Sequence, residues 1–396
     1  MDGVTDAPFR YMVAKAGKPR MGKPNVMFTE FVNVEGLSRG AARLLNILLY
    51  SEIERPIVAQ LFGASPEDFY KAALIVCALG FDGVDINMGC PANNVTKGGG
   101  GAALIKNPDL AKKIIQAVKS GVDDWADGKN LKNTGINSEI LKWIDSPAPS
   151  HKVTSFLKRL SHGIYPCNEA AEYFGRCRIK IERKTLSVSV SPHTQRGTVL
   201  TNSNSTKDIN SQTYVRKFLG VGIKTRTGYD SDISEKWISF LSEQDIDAIS
   251  LHGRTLKQMY QGQADWEAIS KSAQIAHDAG KIILGNGDVK SVSEAREKCK
   301  IYGVDGVLIG RATWGNPWFF DENKISVSKK EKLETLLQHA LYFKKIFGEK
   351  YFSPLKKHIA HYIKNFDGAV EARQQLLSAE NFNEFEEMIA KMMIMS

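Results

Sequence analysis

The segment Asp85-Ile86-Asn87-Met88-Gly89-Cys90-Pro91 concentrates the reactivity of this sequence. An apolar run ends at Asn87, and a thiol follows in a Gly-Cys-Pro turn. Such a cysteine can act as nucleophile or as general acid, because a thiol of ordinary pKa, about 8.5, still carries its proton at neutral pH. Cys77 is the contrast: it lies among Ala, Leu, Ile and Val in a helical pattern and reads as a buried small hydrophobe. Other apolar runs also end in polar residues: Gln60, then Lys224 and Arg226, His252 and Arg254, Asn286 and Asp288, and Gly310 with Arg311. A lysine inside an apolar run is costly unless it faces an anion. Glycines at 287 and 310 allow backbone N–H groups to approach phosphate oxygens. Each has a plainer reading: Lys224 paired with a neighbouring carboxylate, or His252 as a satisfied core histidine. Five run ends in agreement favour a site. The run Gly98–Gly101 after Lys97 is no P-loop, since no Gly-Lys-Ser/Thr follows, and reads as a mobile loop beside the site. No His/Asp/Glu cluster has metal-ligand spacing, so no metal site is expected, and no GxSxG elbow occurs.

The elements that position these residues are short β-branched runs alternating with amphipathic stretches. Strands are predicted at Val26–Val32, Pro56–Phe62, Gly83–Met88, Val221–Arg226, Ala248–His252, Lys281–Asn286 and Gly306–Gly310, with helices such as Pro66–Leu79, Asp109–Lys119 and Ser291–Lys300 between them. Near-continuous apolar strands alternating with helices indicate a parallel sheet covered on both faces. No GxGxxG follows the first strand, and the polar residues gather at strand C-terminal ends. The pattern is that of an α/β protein, a (β/α)8 TIM barrel with its site at that face. Seven strands are legible. The eighth belongs before Met1, because Asp6-Ala7-Pro8-Phe9-Arg10 already has the character of a loop and helix start, and a barrel lacking most of its first strand carries an open seam.

Composition bounds the rest. The chain has 396 residues, 42% hydrophobic and 24% charged, with formal net charge +9, which excludes a disordered or collagen-like chain. No apolar run reaches the ~18 residues of a membrane span, and the start has no signal-peptide pattern. Five widely spread cysteines without a CxxC pair suit a reducing cytoplasm. The barrel is assigned to residues 1–120 and 220–320. Residues 121–219 form an insertion carrying 15 Lys+Arg against 9 Asp+Glu, with helical character at Ser138–Trp143, Val153–Leu160 and Asn168–Phe174 and a Ser/Thr/Asn-rich stretch at Thr185–Thr213. It reads as a solvated excursion at the bottom of the barrel, or alternatively as an added nucleic-acid contact. Residues 321–396 read as a C-terminal helical domain, with helices at Lys329–Phe347, Pro354–Phe366, Ala369–Leu377 and Asn383–Met393. Between Lys324 and Lys364 it holds 10 Lys+Arg and 3 Glu, a basic face suited to a polyanion.

Met1-Asp2-Gly3-Val4-Thr5-Asp6-Ala7-Pro8-Phe9-Arg10, Asn87-Met88-Gly89-Cys90-Pro91, Lys224-Thr225-Arg226-Thr227-Gly228, His252-Gly253-Arg254-Thr255, Gly285-Asn286-Gly287-Asp288 and Gly310-Arg311-Ala312, with Leu355-Lys356-Lys357-His358-Ile359 and Tyr362, together resemble the tRNA-dihydrouridine synthases over residues 1–120 and 220–396. The resemblance implies an FMN-dependent flavoprotein that reduces uridine in tRNA to 5,6-dihydrouridine with NADPH, a cytoplasmic monomer with no membrane partner. It implies that Cys90 protonates C5 while hydride passes from flavin to C6. It implies cofactor contacts from Met1, Asp2, Gly3, Gln60, Asn87, Lys224, His252, Asn286, Gly287, Asp288, Gly310 and Arg311. Asn87, Lys97, Arg226, Arg254, Lys356, Lys357 and His358 would meet the tRNA. Two other readings stand beside this one: an FMN barrel acting on a free pyrimidine, such as a dihydroorotate or dihydropyrimidine dehydrogenase, and a tRNA-binding protein whose catalysis is impaired.

Overall fold

In the computed structural model, residues 1–16, 26–145, 179–180, 216–217 and 219–394 are described. Seven strands form one sheet: β1 (Met27–Asn33), β2 (Ile57–Phe62), β3 (Gly83–Asn87), β4 (Gly220–Arg226), β5 (Ala248–His252), β6 (Ile282–Asn286) and β7 (Gly306–Leu308). They pair in chain order and every pairing is parallel. The sheet curls into a half-barrel, leaving β1 and β7 as its two edges. A two-residue antiparallel pair, Ile179–Lys180 with Arg216–Lys217, lies outside it.

The sheet is parallel because the strands are largely apolar, with their polar residues toward the C-terminal ends, and each return is helical. Ile57, Val58, Ala59, Val84, Ile86, Val221, Ile223, Ile249 and Leu251 are buried, and the helices Pro66–Ala78, Pro108–Ala126, Ser234–Ser242 and Trp266–Asp278 bury the other side of the same core. Capping residues fix where the helices begin. Ser65, Asn107, Asp265 and Ser291 each accept a backbone N–H three residues ahead, and Pro66 and Pro108 occupy first-turn positions where no donor is lost. The register is staggered, so Arg226, His252 and Asn286 are successive strand partners in one row, and Asn87 pairs with Lys224 in the next. Polar residues spread over 200 positions of sequence thereby converge at one mouth.

The helix Pro108–Ala126 runs unbroken through Gly121, whose Cα packs against the Tyr70 carbonyl with no room for a Cβ. Beyond it, Ser138–Asp145 is helical. The stretches Val153–Leu160, Asn168–Phe174 and Thr185–Thr213 lie outside the described residues.

From Lys329 onward the chain is helical: Lys329–Phe347, Lys356–Tyr362, Ala369–Ser378 and Phe382–Ile394 surround their own core of Leu333, Leu336, Phe343, Ile359, Leu376 and Phe385. The helix predicted at Pro354–Phe366 is shorter: Ser353–Leu355 is a 3-10 turn and the α-helix ends at Tyr362. This region docks on the N-terminal helix Ala7–Ala16, where Tyr11 stacks on Tyr342 with centroids 4.0 Å apart.

Arg10 anchors that helix to the 3-10 turn Glu52–Glu54 that precedes β2. Its Nε donates to Glu54 Oε2 at 2.8 Å and its Nη1 to the Thr5 carbonyl at 2.8 Å, with both members of the ion pair no more than 2% exposed. Removing one partner strands a buried charge, so Arg10→Ala will lower stability by about 3–5 kcal/mol. Urea unfolding measures this, and a loss under about 1 kcal/mol would contradict the burial argument. The apolar double replacement Arg10→Met/Glu54→Leu will recover only part of the loss, because the Thr5 and Leu49 carbonyls and the Ser51 N–H lose their partners.

Candidate active site

Cys90 lies just past the C-terminal end of β3, buried, with its thiol free. Burial pushes its pKa above the ordinary thiol value, with a further rise from Asp2. The turn that carries it is fastened on two sides. From within, Asn87 Oδ1 accepts the N–H groups of Gly89 and Cys90 at 3.0 and 2.8 Å. From β4, Arg226 Nε donates to the Gly89 carbonyl at 2.7 Å, and Met88 N–H donates to the Lys224 carbonyl at 2.7 Å.

The Asn87 amide is oriented in turn. Its Nδ2 donates to Gln60 Oε1 at 2.9 Å, and Gln60 Nε2 donates to Asp85 Oδ2 at 2.7 Å. An ionised carboxylate only accepts. Asp85 therefore forces Gln60 to present its NH2 group downward and its oxygen upward, which leaves Asn87 Oδ1 free to hold the cysteine turn. The two amides are thus oriented from both ends, by the Asp85 carboxylate at one and by the Gly89 and Cys90 N–H groups, which can only donate, at the other. Asp85 and Lys224 are a coupled pair beneath the mouth: burial pushes the carboxyl up to about 7 and the ammonium down to about 7, each partly offset by the other. Asp85 is the carboxylate that offsets the Lys224 charge, acting without an ion pair, while the ammonium itself donates to the Thr225 carbonyl at 3.3 Å. The sequence signal for it was position alone: Asp85 and Asn87, two apart in a strand, share a face.

The second half of the mouth is built by the ends of β5, β6 and β7. His252 is buried and neutral, its pKa driven down to about 2 by desolvation and by Lys224, Arg226 and Arg254. Asn286 donates from Nδ2 to the Leu308 carbonyl at 2.9 Å. Gly287 has φ +139°, and a Cβ there would sit 2.3 Å from the Ala264 methyl and 3.4 Å from the His252 ring. Asp288 follows at φ +58°, so two successive residues hold left-handed backbone. Its carboxylate accepts from Arg254, from Arg311 Nη2 at 2.9 Å and from Ala264 N–H at 2.9 Å. Arg311 is more than half exposed and lies over the Tyr260 ring at 5.0 Å. Gly310 faces Met1, whose Sδ would lie 3.3 Å from any Cβ added there, and Asp2 and Gly3 are exposed beside it. A glycine turn of this kind beside an exposed guanidinium has the donor chemistry and space for a phosphate.

Four expectations need correction. Arg226 is buried and spends its guanidinium on the carbonyls of Gly89, Thr255 and Met259, so it braces the cysteine turn rather than meeting tRNA. Arg254 is likewise 2% exposed and committed to Asp288 and the carbonyls of Gln261 and Gly262. His358 is fully buried against Asp6 and cannot reach a macromolecule. In each case charge was legible but the partner, distant in sequence, was not. The glycine run is packed at its second half: Gly98 is exposed, but Gly100 and Gly101 are buried, and their Cβ positions would fall 2.7 Å from the Gly63 carbonyl and 2.8 Å from the Cys90 carbonyl. Lys97 stands exposed at its edge, and Lys356 and Lys357 are half-buried on the helical region.

Among the described residues no helix is long and apolar enough to cross a membrane. A family model described as "Dihydrouridine synthase (Dus)" matches residues 1–128 and 209–394. Similar proteins include a "Probable tRNA-dihydrouridine synthase" of Staphylococcus aureus (strain COL), 28% identical over 391 residues, covering 97% of this chain and 88% of that protein. A "Probable tRNA-dihydrouridine synthase 2" of Bacillus subtilis (strain 168) is 27% identical over 391 residues, covering 97% of this chain and 89% of that protein. A solved structure of DHODH in complex with ferulenol from Eimeria tenella aligns with 12% identity and TM-score 0.35 over 80% of this chain and 65% of that one, too low a score to bear on function. With the family match spanning both the half-barrel mouth and the helical region, the chain belongs to the dihydrouridine synthase family of enzymes.

Proposed function

We propose that the protein reduces a uridine of tRNA to 5,6-dihydrouridine, with FMN as resident cofactor and NADPH as reductant. The observation that carries this reading is the Cys90 thiol, protonated, buried and braced by Asn87 and Arg226 at the strand-end mouth. When bound, FMN supplies the hydride that the uracil ring receives at C6. Cys90 supplies the proton at C5. Lys224, Gln60 and Asn87 would hold the flavin ring, and Asn87 would also touch the uracil. His252, Asn286, Gly287, Asp288, Gly310 and Arg311 would hold the phosphate end, Asp288 through its backbone because its carboxylate is engaged. Met1, Asp2 and Gly3 would close the cofactor site beside Gly310. A uridine must leave its stack to reach this mouth. The basic helical region, with Lys356 and Lys357, and Lys97 at the loop edge would grip the phosphates.

The test is NADPH oxidation by the FMN-loaded protein with three acceptors: unmodified tRNA, free uridine and free uracil. Oxidation stimulated by tRNA alone supports the reading, and stimulation by the free pyrimidines with none by tRNA would replace it with a small-molecule dehydrogenase. A second outcome concerns the grip. Lys356→Ala will weaken tRNA binding and flatten the slope of log affinity against log salt by up to about 0.7–0.9 while leaving the flavin spectrum unchanged. A salt slope identical to wild type would remove Lys356 from the interface.

A further inference from the structure

Three residues distant in sequence meet where the helical region docks on the half-barrel. Asp6 caps the helix Ala7–Ala16, His339 lies in Lys329–Phe347 and His358 in Lys356–Tyr362. All three are buried, both histidines completely, and one ligating atom of each lies within 4.8 Å of the other two. Their polar chemistry is incomplete. Among the described residues neither ring nitrogen of His339 has a partner, nor has His358 Nδ1, nor the hydroxyl of buried Tyr362, whose ring stands edge-on to His339 at 5.8 Å. Buried polar atoms are nearly always hydrogen-bonded, so four orphans at one seam call for an occupant. Asp6 Oδ1 is taken by the Phe9 N–H, but Oδ2 has only His358 Nε2 at 3.3 Å, long for a contact to a carboxylate, and Lys357 Nζ at 3.6 Å. The Lys357 side chain is partly exposed and can turn to solvent.

We propose that Asp6, His339 and His358 bind one divalent transition-metal ion of zinc's preference, and that this ion pins the helical region to the barrel. Two imidazoles and a carboxylate are a zinc donor set, with a fourth position for water. The ligands come from both sides of the seam, so binding favours the docked arrangement.

The experiment uses the full chain, FMN-loaded, free of any histidine tag, stripped with chelator and then given Zn²⁺ alone. The expected result is one zinc retained per chain after dialysis and a thermal midpoint raised by a few degrees over the stripped protein. Asp6→Asn, which keeps the helix cap, and His339→Asn will each abolish retention while the visible flavin spectrum stays as in wild type. Co²⁺ in the wild-type protein decides the matter independently of either variant: d–d bands without a thiolate charge-transfer band support this site. A thiolate band, retention unaffected by both variants, or retention below about a tenth of an ion per chain would overturn the proposal, the last leaving the four atoms to buried water.

Discussion

Cys90→Ala will retain FMN and lose tRNA turnover by about 10²–10⁴-fold, the range that one positioned general acid contributes. The turn is held through its backbone: Asn87 accepts the Cys90 N–H, the Gly89 carbonyl takes the Arg226 hydrogen bond, and the sulfur's own partner is the Ala92 backbone. Alanine preserves both backbone bonds, so the turn and its glycine neighbours stay in place. The proton at C5 is lost, together with the sulfur's contact to the Ala92 backbone. The loss will appear in kcat with little change in tRNA affinity, since a thiol contributes little to a polyanion interface. The pH profile gives a second readout. The acid must be protonated, and burial raises its pKa, so the alkaline limb of wild-type turnover will fall only above the usual thiol range near ~8.5. Turnover within threefold of wild type would remove Cys90 from the chemistry.

Asp85→Asn will lower turnover by about 10²-fold, the cost of a reacting group displaced by about 1 Å. The substitution is nearly isosteric and removes one charge. Its consequence is loss of direction: an amide at 85 can donate as well as accept, so Gln60 loses its obligate acceptor, while Asn87 stays held by the Gly89 and Cys90 N–H groups. Where Gln60 turns over, its NH2 group faces the Asn87 NH2 group, and the inner brace of the turn loosens. The same variant unbalances Lys224, whose buried ammonium has Asp85 as its counter-charge. A merely structural role would leave the pH dependence of turnover alone. Here the acid side of the profile will fall as the Asp85–Lys224 pair takes up a proton near about 7, a limb that belongs to the pair rather than to either residue. In Asp85→Asn that limb will be absent. An acid limb unchanged from wild type would show that Asp85 does not set the site's polarity.

Much of this fold is legible in sequence because a parallel half-barrel writes itself in short apolar runs. β5 is Ala248–His252 in both readings, and β2, β3 and β6 differ by one residue at an end. The polar residue closing each run is informative because the stagger of parallel strands lines those ends along one mouth, as with Arg226, His252 and Asn286. What sequence withholds is satisfaction. Arg226 and Arg254 advertise charge, yet their guanidinium groups are consumed by carbonyls and by Asp288, partners up to 137 positions away. Asp85 reads as one residue of a motif, although its carboxylate helps orient two amides. Gly100 and Gly101 suggest a free loop because glycine permits motion, but here it permits close approach to backbone. His358 and Asp6, 352 positions apart, meet only when the helical region docks.

The most direct measurement is the mass of the nucleosides released from unmodified tRNA after incubation with the protein, FMN and NADPH. The account predicts a two-hydrogen gain on a uridine of the tRNA, dependent on NADPH and largely lost with Cys90→Ala. Unaltered uridine throughout the tRNA, in a preparation whose flavin is bound and reduced by NADPH, would contradict it.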